Sequence, residues 1–382
     1  MRKSIFIFAL ALAGLARADW AIDAAFPATD TRVVRNAMLA SGGVLYIGGD
    51  FSQVGGQPRS GIAAIELATG RLLPWAPRLL SPCVSVIVAQ GDLIYVGGSF
   101  RGVEGQKQSY IAAYRSAGTG AASWVSSWRP QLEGPVADLL PSPEGSLYAA
   151  GRFESGVVEI EGAPKSGALT SFDPGIDGRV TSLLLDPLNP AALIIGGRFS
   201  HAGGAERDLI ARIDRKSGRA LPQQLAIQGG PSKEILRMIS HSGTVYVVGA
   251  EIERVAGEPR ANAFALDPQS FALKAWRDDL DAGAGALSAW GERVIIGGDF
   301  RHVNGLPRRL AAVDSQSGQV LDWDPQPDDN TYAALAMHGA VFVSGYWSHL
   351  KGLAAGHFAA LRDPESSPSG RPSVAFFPPE SH

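Results

Sequence analysis

One phrase, written seven times, constrains this chain more than any other property. Its first clear copy is Val44 to Phe51, VLYIGGDF. A polar loop follows, SQVGGQPRS, then a second apolar run, IAAI (Ile62 to Ile65), a Thr69-Gly70 turn, and LPWAP ending at Pro77. Aligned on the second small residue after the apolar run, the copies are LYIGGDF at Gly49, IYVGGSF at Gly98, LYAAGRF at Gly151, LIIGGRF at Gly197, VYVVGAE at Gly249, VIIGGDF at Gly298 and VFVSGYW at Gly345. The steps between these positions are 49, 53, 46, 52, 49 and 47 residues. A period of this size implies one supersecondary unit repeated around a ring or along a stack.

Each unit reads as four short strands. Strand A is an apolar stretch such as Val84 to Ala89 or Val180 to Leu185, and strand B is the anchor phrase itself. Strand C is the IAAI-like run: Ile62 to Ile65, Ile111 to Tyr114, Ile210 to Ile213, Leu310 to Val313. Strand D carries an aromatic: Trp75, Trp128, Phe172, Trp276, Trp323. The runs are short and β-branched, with Gly, Pro, Asp and Ser between them. No segment holds a 3.6-residue apolar period long enough for a core helix. The expected fold is all-β: a seven-bladed β-propeller of four-stranded antiparallel blades.

The units fall at 33–80, 84–130, 136–176, 180–226, 235–279, 284–326 and 331–362. Unit three departs from pattern, because Gly151-Arg152-Phe153 runs almost directly into Val157 and the polar loop is missing. Unit four lacks the strand D aromatic, and unit five carries one extra residue between Gly249 and Gly257. Phe26-Pro27 before Val33 resembles Phe172-Asp173-Pro174 before Val180, so residues 20–27 read as a lone strand D. Its expected place is on the last strand C, closing the ring and hiding two sheet edges. The segment 373–378 in the polar tail 363–382 competes for that slot.

Residues 1–18 have the layout of a secretory signal: Arg2 and Lys3, the apolar run Ile5 to Leu15, and Ala16-Arg17-Ala18 as the cleavage site. The expected product is a periplasmic or extracellular monomer starting at Asp19, with the propeller over 19–362. No other apolar run is long enough to span a membrane. Cys83 is the single cysteine, so no internal disulfide forms, and it reads as a small buried apolar group. The net charge of −3 and the scattered Lys and Arg give no basic stripe for nucleic acid.

The unit GGDF-x-x-V-x-G-x-P-R-x-x-I-A-x-L/I-D-x-x-T/S-G is matched best at Gly48 to Ala64 with Thr69-Gly70, Gly196 to Gly218, and Gly297 to Gly318. It resembles the delta-60 repeat of secreted bacterial proteins and is similar to repeats in fungal cortical polarity-marker proteins. The resemblance covers nearly all of the mature chain. It implies a propeller and brings no catalytic motif with it.

Three sets of polar residues recur on the face shared by the D–A and B–C connections. An arginine follows the loop's Gly-x-Pro or its equivalent: Arg59, Arg207, Arg260 and Arg308, with Lys107 in GQKQ. A guanidinium suits bidentate contact with carboxylate or phosphate, and one structural ion pair per unit would repeat in the same way. Histidines share one repeat position: His201, His302 and His349. Their spread over separate units opposes convergence on a single zinc ion. The D–A turns are acidic, among them Asp177, Asp278, Asp281 and Asp328, a rim that could hold calcium or simply be solvated. No cofactor is otherwise expected. HExxH, GxSxG, P-loop, CxxC and GxGxxG-helix motifs are absent, and no catalytic residue is assigned. The leading expectation is a non-enzymatic binding or scaffolding module for a protein or carbohydrate ligand. A hydrolase or lyase acting on a sugar or small ester at the channel mouth, and a cell-surface structural protein, are the alternatives.

Overall fold

The computed structural model describes residues 20–362 apart from 119 and 338. The expected signal segment and the tail with its competing strand lie outside the described residues.

Among the described residues there is no helix, and seven sheets repeat one strand order. In unit one, strand A (Val33–Ser41) pairs antiparallel with B (Val44–Gly49), and B with C (Ile62–Glu66). Every residue of Val44–Gly49 is buried, as is every residue of the counterparts Leu93–Gly98 and Ala340–Gly345. A strand with one face in water would alternate. These do not, because each sheet is covered on both faces by its neighbours. That explains why the anchor phrase is a continuous apolar run.

The other A strands are Val84–Gln90, Val136–Pro141, Arg179–Leu185, Ile227–His241, Ala284–Trp290 and Thr331–Met337. Each contacts the A strand of the next unit, and that of unit seven contacts that of unit one. The paired glycines make this approach possible. A Cβ on Gly48 would lie 2.5 Å from the Val84 side chain of the next unit. A Cβ on Gly98 would lie 2.1 Å from the Cys83 carbonyl oxygen, where strand A bulges between Val84 and Val86. The first glycine therefore admits the neighbouring sheet, and the second admits a bulge in its own sheet. Cys83 is half-buried rather than buried, and it is its carbonyl that packs on Gly98.

Strand D is shorter than expected. In five units it is a single bridge, as at Ile65 to Leu72 and Tyr114 to Trp124. Among the described residues, only unit five has a full outer strand, Leu273–Arg277. In units one, two and six (Trp75, Trp128, Trp323) the aromatic lies beyond the bridge, and in units one and two it joins two units. Trp75 packs edge-on against Tyr46 at 5.2 Å, and its indole N–H donates to the Arg115 carbonyl of unit two at 3.1 Å. The Tyr46 hydroxyl accepts from Ala117 N–H in the same turn at 2.7 Å. The pairs Tyr95–Trp128 and Tyr246–Trp276 repeat this staple toward units three and six.

The N-terminal segment takes the strand D place in unit seven. Ala21–Ile22 pairs antiparallel with Phe358–Arg362, Ile22 opposite Leu361. Phe26 packs on Phe342 at 5.2 Å, the position that Tyr46 holds in unit one. Trp20 packs on Trp323 at 5.7 Å, and Asp23 pairs with Arg362. A Cβ on Gly70 of unit one would strike the Ala25 carbonyl, so this segment also abuts the first sheet.

Strand A of unit five begins at Ile227, earlier than the expected 235, because Ile227 and Gln228 pair with Val255 and Arg254 on a strand B lengthened to Thr244–Val255.

Candidate functional site

The four arginines are consumed inside their own units. Arg59 donates to the Leu73 carbonyl at 2.8 Å, Arg207 to Leu221 at 2.7 Å, and Arg260 to Lys274 at 3.1 Å. Each also donates to the carbonyl of the residue before it. They tie the B–C loop to the outer chain segment, where backbone carbonyls have no ladder partner. Arg308 alone forms the anticipated ion pair, with Asp324 at 3.1 Å. In unit two the equivalent residue is Gln108, buried and donating to Ile111 and Trp128 carbonyls, and not Lys107.

The histidines and the acidic rim are each other's partners. Asp177 accepts from Ser200 N–H at 2.8 Å, His201 N–H at 2.9 Å, and the Ser200 hydroxyl at 2.5 Å, with His201 Nδ1 at 3.0 Å. Asp328 repeats this with Ser348 and His349, and Asp281 with Arg301 N–H and His302. Asp30 does the same for Ser52 and Gln53. In units one, four, six and seven the acid of the D–A turn thus caps the start of the B–C loop. Partial burial pushes the Asp177 carboxyl up, but the Ser200 hydroxyl, two backbone N–H groups and His201 outweigh it and hold the acid well below its ordinary range. Asp281 and Asp328 are lowered by the same balance.

Two of these clusters bring Ser, His and Asp together. Nucleophilic catalysis needs the serine on one imidazole nitrogen and the carboxylate on the other. Here Ser200 and Asp177 share Nδ1 of His201, and the serine proton already serves the carboxylate. The arrangement is a loop cap. Each histidine stays with its own aspartate, and no group of three metal-ligating side chains occurs among the described residues.

Asp278 is a correction to the rim. It is fully buried, at the place where units one, two, three and six have a proline two residues after the aromatic: Pro77, Pro130, Pro174 and Pro325. Asn304 donates to one oxygen at 2.9 Å and the other has no partner. Burial first, and the neighbouring Asp279 charge, push its carboxyl up to about 8 against the Asn304 hydrogen bond.

The channel holds a cavity of about 290 Å³ lined by Arg237, His241, Ser288, Tyr332 and the alanines of units six and seven. Its buried polar groups also serve the scaffold. Asp138 accepts from Leu183 N–H at 2.8 Å and lies 3.6 Å from Arg237. The Ser182 and Ser288 hydroxyls accept from backbone N–H groups of A strands further along the ring. Burial raises the Asp138 carboxyl against the pull of Arg237.

What stays open is unit three. Only three residues separate Phe153 from Val157, where ten separate Phe51 from Ile62. The missing piece elsewhere is a hairpin such as Gln53–Val54 with Gln57–Pro58, turning through two left-handed residues, Gly55 and Gly56. Its buried residue, Val54 or Val303, covers the D–A turn at Thr29 or Leu280. The counterpart Leu132 has no such cover and is half-buried. The turn acid there, Glu133, makes one contact of 3.3 Å, to Glu154 N–H.

Two cavities flank the resulting notch. One, of about 320 Å³, is lined by Leu132, Phe153, Val158 and Leu169. The other, of about 730 Å³, is lined by Arg152, Arg179, Arg198, Ile176, Glu154 and Asp177. Arg179 is held by Glu234 through three bonds of 2.5–2.9 Å. Arg198 donates only to the Pro231 carbonyl, at 3.1 Å, and Arg152 has no side-chain partner among the described residues. Arg152 and Arg198 sit between the last glycine and the phenylalanine of their anchor phrases, in plain view as AGRF and GGRF.

No family model and no curated protein matches this sequence. Solved structures do. The β-propeller domain of Myceliophteria thermophila Cps50 (Swd1) is similar with a TM-score of 0.54 at 11% identity, over 88% of this chain and 96% of that one. The computationally designed Ika8 protein is similar with a TM-score of 0.51 at 14% identity, over 88% and 99%. At this identity the likeness concerns the fold alone, and the fold is a β-propeller.

Proposed function

We propose that the protein is a secreted, non-enzymatic binding or scaffolding module: a seven-bladed propeller closed by its N-terminal strand, built of delta-60-like repeats, whose ligand seats in the notch of the third blade. The observation that carries this reading is the loss of one hairpin out of the repeat. It opens one cavity on unit three and a second between units three and four, while the recurring arginine, histidine and aspartate motifs of the other units are spent on their own loops. Functional residues on a propeller concentrate in such connections, held by a rigid frame. Residues 1–18 would direct export, and Ala21–Ile22 on Phe358–Arg362 supports closure by the chain start.

The test fills the notch. Residues 154–156 are replaced by the ten-residue loop 52–61 of the first unit. The variant and the parent are compared on a glycan array, against a displayed peptide library, and with chromogenic esters and glycosides. The reading expects a ligand bound by the parent and lost in the filled variant, at an unchanged melting temperature. Turnover of a chromogenic substrate, or a ligand that binds both proteins equally, would overturn it.

A further inference from the structure

We infer that the notch recognises a peptide segment presenting one bulky apolar side chain beside a carboxylate, an assignment that rests on the binding-module reading. The two cavities share a wall, Phe153 and Glu154, so one short ligand can enter both. On one side the lining is apolar, and Leu169 is 45% exposed. Water there is displaced by an apolar group with gain. On the other side three guanidiniums face one groove. Arg152 is free to offer a planar fork of donors to a carboxylate, and Arg198 has given up one donor only.

The charges already in the groove select the ligand further. Asp177 has its oxygens filled by Ser200 and His201, so it adds negative field without accepting a new bond. Glu154 lies beside it. A densely sulfated or phosphorylated polymer would bring several negative charges against these two. A single carboxylate on the arginine side avoids them. A sugar would seek an exposed aromatic face for its apolar side, and Phe153, the aromatic of the notch, is 8% exposed. An aliphatic side chain fits the Leu132, Val158 and Leu169 lining without one. The chemistry that meets both cavities is an apolar residue next to an acidic one.

The probe is a random twelve-residue peptide library displayed against the full chain, its R152A R198A variant and its L169A variant. All three positions are exposed, and melting curves show whether the fold is kept. The parent is expected to enrich peptides with Leu, Met or Phe within two residues of Asp or Glu. The best synthetic peptide should bind the parent at least ten-fold more tightly than R152A R198A, and at least three-fold more tightly than L169A. Replacing its acids by amides should cost the same ten-fold, and raising the salt to 0.5 M should weaken it. Enriched peptides without an acid, or an affinity untouched by the arginine changes, overturn the proposal. So does a library that yields no binder. If a glycan then binds the parent and is lost in the notch-filled variant, the peptide assignment falls and the binding-module reading stands.

Discussion

Asp278 is the residue at which the repeat gives up stability. Its counterparts in units one, two, three and six are prolines, which need no partner, whereas a buried carboxyl with one unpartnered oxygen carries a desolvation cost. Its pKa is raised in the folded state to about 8, above the unfolded value near 4. The folded chain therefore holds this proton more tightly, so the site is neutral at no cost below about pH 4, and stability declines as pH rises toward 8. Asp278→Asn is expected to melt several degrees above the parent at pH 8 and within a degree of it at pH 4. Equal slopes of melting temperature against pH in the two proteins would contradict the assignment. The glycine pair gives a second expectation at this scale. Gly48→Ala meets a side-chain methyl that can shift, and should cost about 1–3 kcal/mol. Gly98→Ala meets a backbone oxygen that cannot, and should cost more, read as a larger fall in urea midpoint.

At the scale of the element, two devices recur: acid caps across the loops of units one, four, six and seven, and aromatic staples between units. The acids Asp30, Asp177, Asp281 and Asp328 are all lowered, so what they contribute is present above about pH 4 and is lost as pH falls below it. The Asp177 side chain is 39% exposed, so solvent screening reduces a charge-assisted cap to about 1 kcal/mol. Asp177→Ala should lower stability by that amount at pH 7, and the gap should shrink at pH 2.5. An unchanged gap at pH 2.5 would show that the charge is not what matters. Trp75 is fully buried and bridges two units. Trp75→Phe removes the indole N–H and strands the Arg115 carbonyl, for about 1–2 kcal/mol, while Trp75→Ala should cost about 3–5 kcal/mol. Denaturant unfolding of both variants checks the ratio.

The strands were legible in the sequence because alternation fails in the anchor phrase and the period holds. The caps were not, because Asp177 and His201 stand 24 residues apart and each reads singly as a surface group. The notch was visible as a gap between Phe153 and Val157, but not as a pair of cavities, since that requires knowing that Val54 and Val303 cover the turn below them. Asp278 looks like part of the rim because its neighbours are acidic, although its register with Pro77, Pro130, Pro174 and Pro325 marks it as interior.

At the scale of the whole molecule, the architecture depends on how the first and last sheets meet. The A strands contact one another in sequence, and the last touches the first. Ile22 lies opposite Leu361, Phe26 packs on Phe342, and Trp20 on Trp323, so the chain start supplies the outer strand that the last sheet lacks. The direct measurement is a cross-link. With Cys83→Ser as background, Ile22→Cys and Leu361→Cys place two thiols on directly opposed residues, within reach of a disulfide if the strands pair. Oxidation is predicted to give a monomer whose digest joins the peptide containing residue 22 to the one containing residue 361, and whose melting temperature rises by several degrees. Thiols that stay free, or that link only between molecules, would contradict closure by the N-terminal strand.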